Sequence, residues 1–583
     1  MDNTIHNEVD FDHLPRFDKR HFVLDNADFT NPSVIEGLYR QLIAAYLDSR
    51  KGLEQWILQR SELESILDEK RAVLYIRMTC QTDDPARAQA YKNFVETVTP
   101  MIKPLEDQLN WKLLKAYEQY GLDEAKYGVY LRAIKMDVSL FVKENVDLET
   151  KVQLLSQEYQ TIIGSITVNF QGREHTLPQM SKYLFDTNRN LRESAWRATS
   201  ERRLKERERL DNMFDQMLKL RHQISQNAKC QDFIEYSFKA FHRFDYTPQD
   251  CGQYYYSIEK YVFPLWKKII QHRLHLMKLD KLRPWDTSVD PLGRPALQPF
   301  NDVSQLIHGC QDIFNQVDPE LGSGFAQIAK LGLLDLASRR GKAPGGYLSQ
   351  LGETRKPFIF MNAVGLDDDV RTLLHEAGHA FHSLACARQL IFSYRHAPLE
   401  FSEVASMSME LLGGEHLSVF YSRENEVRSQ IEHLEGIVYI LIWVATVDAF
   451  QHWIYQHPKQ TQTERTEAWR RIYKRFWGDL VDWSGLEEAY GAMWHRQLHI
   501  FEVPFYYIEY GIAQLGALQI WLKARSDSKK ALRDYRHGLS FGGSKPLPEL
   551  FRLAGIHFDF SEKAIAPLMK EIEQNLDEMY QEK

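Results

Sequence analysis

The stretch DDDVRTLLHEAGHAFHSLACARQL, Asp367–Leu390, decides how this chain is read. Its apolar residues recur at helical spacing and predict one helix from about Asp367 to Leu390. Asp367, Asp368 and Asp369 stand at its start, where acidic side chains cap free N–H groups and complement the helix dipole. Within it, His375-Glu376-Ala377-Gly378-His379 is an HExxH sequence. Positions i and i+4 share a face, so both imidazoles can reach one ion about 2 Å away. Glu376 sits at the edge of that face, placed to bond to water instead of the ion. With 21 histidines in the chain, chance supplies about 0.05 such motifs. The plain alternative is a packed, hydrogen-bonded histidine pair, but buried ionisable groups are costly without partners.

A catalytic zinc site needs a third protein ligand and one open position. A metzincin would carry Gly at 382 and His at 385, where this chain has His382 and Ala385. Thermolysin-like spacing would put Glu near 398 or 399, which are Pro398 and Leu399. Glu400 and Glu403 are the first good candidates. From Ser402 onward the chain reads as a second helix, with Val404, Met407 and Leu411 on an apolar stripe. An antiparallel helix pair would bring Glu403 to the two histidines. Glu410 shares a face with Glu403 and either supports a ligand or is a solvated helix charge. His382 reads as a supporting or structural residue and not as a fourth ligand.

Outward from this motif, the bulk numbers narrow the class. The 583 residues are 44% hydrophobic and 26% charged, which excludes disordered and fibrous chains. That length predicts about three or four domain-sized units, or two lobes around one cleft. A net charge of -8 lacks the basic surplus of a nucleic-acid binder. Cys80, Cys230, Cys251, Cys310 and Cys386 are scattered, as free thiols of a reducing compartment are. The first residues show no signal-peptide pattern, and no run of about 18 apolar residues is expected to span a membrane. The expected location is the cytoplasm. Oligomeric state is not readable.

Helices are expected from Pro32 to Asp48 (with Asn31 as N-cap), from Leu53 to Cys80 and from Ala86 to Tyr117. They read as helices that pack against one another. Ser165–Leu177 alternates around a glycine, which predicts a hairpin, and helix resumes from Pro178 to about Ala228. Residues 282–302 read as a long loop. Pro357–Asn362 is a strand candidate, with Pro357 suited to an edge. A division into an N-terminal helical region, 1–200, and a catalytic region, 201–583, follows.

His375-Glu-Ala-Gly-His-Ala-Phe-His382 and Ser402-Glu-Val-Ala-Ser406 together resemble the oligoendopeptidase F and thimet oligopeptidase family of zinc metallopeptidases. Glu403 falls on that family's zinc-binding glutamate. Trp494–Gly511 looks like the family's C-terminal His/Tyr motif. The resemblance implies that His499, Tyr507 and Tyr510 are catalytic and face the substrate carbonyl, with Tyr506 at the substrate. Gly341–Tyr347 resembles a glycine-bearing loop beside the strand that lines the cleft, which implies substrate contacts from Gly345, Gly346, Tyr347 and Phe358. The similarity runs from about residue 165 to the end.

The resemblance implies a mainly α protein: a large two-lobed helical ellipsoid with a deep channel and a small β-sheet beside the active-site helix. It implies one Zn2+ per chain, held by His375, His379 and Glu403, with Glu376 as general base and oligopeptides as substrates. An extended peptide could add a strand to the 357–362 edge. The other readings are C-terminal trimming, with Arg395 or Arg496 taking the terminal carboxylate, and a non-catalytic peptide-binding protein.

Overall fold

The first long helix starts where its capping residues say it should. Asn31 accepts the Ser33 N–H at 3.0 Å, Pro32 occupies the first turn, and the helix runs Pro32–Ala44. Arg50–Cys80 and Pro85–Tyr120 follow, each a few residues longer than expected. These helices do pack against one another, around Ile35, Trp56, Ile57, Leu109 and Leu113. The computed structural model describes residues 9–582, and about 70% of the chain is helix.

The fold divides into two compact units, both of which draw on segments either side of residue 200. One takes the chain up to Val138, then Gln298–Glu426 and Gly516–Phe558. The other takes Ser139–Leu297, Val427–Leu515 and the chain from Asp559. The second unit holds the expected hairpin, β1 (Thr167–Phe170) and β2 (Arg173–Thr176). Gln171 and Gly172 turn it with φ of 50° and 77°, as a two-residue hairpin of this hand requires.

The first unit holds a three-stranded sheet of β3 (Leu334–Ala337), β4 (Tyr347–Leu351) and β5 (Lys356–Ala363) in the order β3-β5-β4. β5 is parallel to β3 and antiparallel to β4. The expectation that Pro357 marks an edge is therefore corrected: its strand is the central one. Pairing with β3 begins only at Ile359, so the N–H that Pro357 lacks interrupts no bond on that side.

One helix is long and apolar enough, by length and composition alone, to cross a membrane. Arg423–Gln456 contains an 18-residue window of mean hydropathy 1.5, but 83% of that window is buried inside the protein. Asp448, Gln451 and His452 lie within this helix, fully or nearly fully buried, so it is a core helix with polar groups facing protein.

Candidate metal centre

Two successive helices build the centre, both in the first unit. The motif helix, Asp367–Cys386, begins where Asp369 Oδ2 accepts the N–H groups of Val364, Gly365 and Leu366, each at 2.8 Å. The second, Leu399–Gly414, starts three residues earlier than expected and is buried on nearly every side, not along one stripe. Its residues run backwards along the first. Gly413 lies against Leu374, Glu410 against His375, Ser406 against Gly378 and Ser402 against His379. The pair is antiparallel, as expected. Gly378 makes the crossing possible: a Cβ there would stand 2.5 Å from Ser406 Cα and 2.6 Å from the Ala405 carbonyl oxygen. No larger residue fits without parting the helices.

That close crossing sets the geometry. Glu403 Oε2 is 3.4 Å from His375 Nε2 and 3.6 Å from His379 Nε2. The two imidazole rings are 4.9 Å apart and nearly perpendicular. Ligands on one tetrahedral zinc ion, each about 2.0–2.1 Å from it, stand roughly 3.3 Å apart, so these separations suit a single ion. Ser406 Oγ donates to Glu403 Oε2 at 3.0 Å and holds that oxygen in place. Glu410 Oε1 is 2.6 Å from His375 Nδ1. An Nδ1–H donating to it leaves the Nε2 lone pair available to a metal ion. Glu410 is thus a partner of His375 and not a solvated helix charge.

Glu376 is buried, and its carboxylate takes no hydrogen bond or ion pair from any described residue. Burial raises it to about 7. Burial works against charge on His375, yet the hydrogen bond and charge of Glu410, with Glu403 and Glu376, raise it to about 9. Burial and the His375 charge lower His379 to about 3. The buried carboxylates of Glu376 and Glu403 and the half-buried one of Glu410 therefore surround two imidazoles, which concentrates negative charge at the centre. A divalent ion would balance that charge directly. The donor set of two imidazoles and a carboxylate, with one position left, is one that zinc takes.

His382 is buried edge-on to Phe401, its rings 5.7 Å apart, and stands outside the group of converging ligand atoms. Its place is structural. Beside the motif helix, Gly345 has φ +96° and a Cβ on Gly346 would stand 3.4 Å from Thr372. Asn362 Nδ2 donates to the carbonyls of Ala343 and Gly345 at 2.8 and 2.9 Å. Lys342, with a fully buried side chain, ties the same loop to Asp335, Ala337 and Met361. Tyr347 stacks on Phe360 at 4.7 Å, and its hydroxyl pairs with Thr79 Oγ1. Phe358 is a correction: it is 0% exposed beneath Phe11, so no substrate can touch it. Alternate residues of a central strand covered on both faces have nowhere open to point. Arg395 is also removed as a carboxylate receptor, since it is buried and bonded to Gly352 O and Ser65 Oγ.

The second unit brings His499, Tyr506, Tyr507 and Tyr510 into one cluster. The His499 ring lies 5.8, 4.8 and 5.9 Å from the three tyrosine rings. Gln497 bonds His499 Nδ1 at 2.7 Å and accepts from Trp443 Nε1 at 2.9 Å. Burial lowers His499 to about 4, so it is a neutral imidazole near pH 7. Phe505 precedes the tyrosines with φ 70°. Its N–H goes to Gln451 and its carbonyl to Arg243, which itself pairs with Glu509 at 2.6 Å.

Sequence reasoning missed Gly378, Ser402, Ser406 and Lys342. A glycine inside a helix that otherwise favours Ala was the one available signal for the first. The others act through tertiary contacts that no local pattern records.

A helical protein with an HExxH pair and a glutamate from the following helix defines the metallopeptidase class. Peptidase family M3 matches residues 183–569, which include every residue of the centre, and the Peptidase M3 N-terminal domain matches residues 32–141. The chain belongs to peptidase family M3. The similarity thus extends into the N-terminal helices as well. The chain is 26% identical to Oligopeptidase PepF of Bacillus subtilis over 332 residues, 55% of this chain and 48% of that one. It therefore spans about half the length of that relative. With an Oligoendopeptidase F homolog of Mycoplasma genitalium it shares 24% identity over 80% of this chain and 81% of the other. A solved structure, PZ peptidase A with inhibitor 2, superposes with a TM-score of 0.85 at 27% identity, covering 94% of this chain and 97% of that one. Family membership implies a metal cofactor.

Proposed function

We propose that this chain is a zinc-dependent endopeptidase that cuts internal bonds of short oligopeptides in the cytoplasm, with one zinc ion per chain at the centre described above. The observation that carries this reading is Glu403 Oε2 within 3.4 and 3.6 Å of two histidine Nε2 atoms, beside a buried Glu376. Relatives named oligopeptidase or oligoendopeptidase support the substrate class. The five cysteines, none of them paired, support a reducing compartment.

His375, His379 and Glu403 would hold the ion, which when bound supplies an acidified water and a positive centre for the substrate carbonyl. Glu376 accepts the proton of the attacking water and returns it to the leaving amine. Glu410 keeps His375 in the tautomer that presents Nε2. His499, Tyr507 and Tyr510 serve as donors to the carbonyl oxygen, one such donor being worth about 3 kcal/mol of barrier. Tyr506 borders the substrate. With β5 central, strand addition falls to the edge strand β4, beside Gly345, Gly346 and Tyr347. Backbone pairing there accepts many side chains.

Mass spectrometry of products from a mixed peptide pool tests this. Internal cuts that stop with a chelator and return with zinc are expected. Glu376→Gln should retain zinc and lose 10²–10⁴-fold or more in turnover. Cuts confined to C-terminal units and blocked by C-terminal amidation would overturn the endopeptidase reading. Full activity in Glu376→Gln would remove the base.

A further inference from the structure

The helix Arg423–Gln456 carries Asp448 and His452 one turn apart, and the helix Pro248–Ser257 does the same for Cys251 and Tyr255. All four lie in the second unit. The Cys251 sulfur, an Asp448 carboxylate oxygen and a His452 ring nitrogen fall within 4.8 Å of one another, and all three residues are buried. The Tyr255 hydroxyl donates to Asp448 Oδ2 at 2.6 Å. Asp448 Oδ1 and His452 Nε2 have no hydrogen-bond partner among the described residues. His452 Nε2 stands 3.6 Å from Asp448 Oδ2. That is too long for a hydrogen bond, and close to the separation of two ligands on one tetrahedral ion. Buried polar groups of this kind are paired, or they hold a metal.

We propose that Cys251, Asp448 and His452 form a second metal site of three protein ligands, suited to zinc and separate from the His375 centre. Thiolate, imidazole and carboxylate make a donor set that zinc accepts. The charges balance. One thiolate and one carboxylate match a divalent ion, and Arg243, close enough to act on all three groups, is offset by Glu509 at 2.6 Å. Without a cation, burial pushes the Cys251 thiol and the Asp448 carboxyl up and keeps His452 neutral. Binding would release the thiol proton to solvent as the sulfur–metal bond forms. The His452 ring packs on Phe505 at 5.1 Å, so an ion there would brace the strained residue that precedes Tyr506 and Tyr507.

Cobalt(II) separates the two centres, because the His375 centre contains no sulfur. Full-length protein expressed in cobalt-supplemented minimal medium, so that metal enters during folding, is expected to hold two cobalt ions per chain. It should show a thiolate-to-cobalt charge-transfer band in the near ultraviolet. Glu403→Gln should lose one cobalt and keep the band, whereas Cys251→Ser should lose the band and keep the other ion. One cobalt per chain with no such band in the unmodified protein would overturn the proposal, whether or not the variants fold. So would a band that survives Cys251→Ser. Peptidase activity enters neither readout, so failure here and failure of the endopeptidase reading are distinguishable.

Discussion

Glu410 is placed to act, through His375, on a metal that it would not itself touch. Its carboxylate accepts a hydrogen bond from His375 Nδ1–H at 2.6 Å, which raises the basicity of Nε2 and fixes the ring. Glu410→Ala is expected to weaken zinc affinity about 10–100-fold while leaving the ligand set intact. Competition against a chelator of known affinity measures it, and Glu410→Gln should recover part of the loss by accepting the same bond. Asp335 is the residue whose protonation carries a stability cost. Burial alone would raise its carboxyl, but bonds from Arg339, Cys80 and Lys342 overturn this and hold it at about 2, against an ordinary 3.8. Its folded pKa is depressed, so its contribution is complete above about pH 4 and is lost as pH falls from there towards 2. The amount is about 2 kcal/mol. Denaturant midpoints of the protein and of Asp335→Asn should therefore converge as pH drops through that window.

At the scale of elements, the decisive contact is helix on helix. Ala at 378 would favour an isolated helix by about 1 kcal/mol over Gly. In the folded chain the added Cβ meets the backbone of Ser406 and Ala405, which cannot move aside as a flexible side chain can. Overpacking of this kind costs about 1–3 kcal/mol or more, so Gly378→Ala is expected to lower stability despite its helix propensity. Parting the helices also draws Glu403 from the histidines, so zinc affinity should fall together with the denaturation midpoint. A variant with unchanged affinity would show that the helix separation does not position Glu403. The sheet teaches a related lesson. Pro357 signalled an edge, but an edge is a property of neighbours, and β3 joins β5 from more than 20 residues upstream in sequence.

For the whole molecule, the centre is made of two helices of one unit, and the ligands converge only when that unit is folded. An ion that binds the folded state alone stabilises it by RT ln(1 + [L]/Kd), about 2.7 kcal/mol at 100-fold excess over Kd. Zinc-loaded protein is expected to unfold at a higher temperature than chelated protein, as read by calorimetry. Glu403→Gln should reduce that difference. A part of the rise that persists in Glu403→Gln and vanishes in Cys251→Ser would come from the buried cluster of Cys251, Asp448 and His452.

The amino-acid sequence by itself determined the helices and which residues could build the centre, because those rest on local periodicity and on ligand types at fixed spacing. His375, Glu376 and His379 are neighbours on one helix, so their geometry is local. Glu403 was legible because helix pairing is a short-range fold. The central place of β5, the burial of Phe358, the bond from Glu410 to His375 and the cluster of Cys251 with Asp448 and His452 were decided only by the tertiary structure. Each depends on which distant segment lies alongside, and side-chain spacing along one chain carries no record of that.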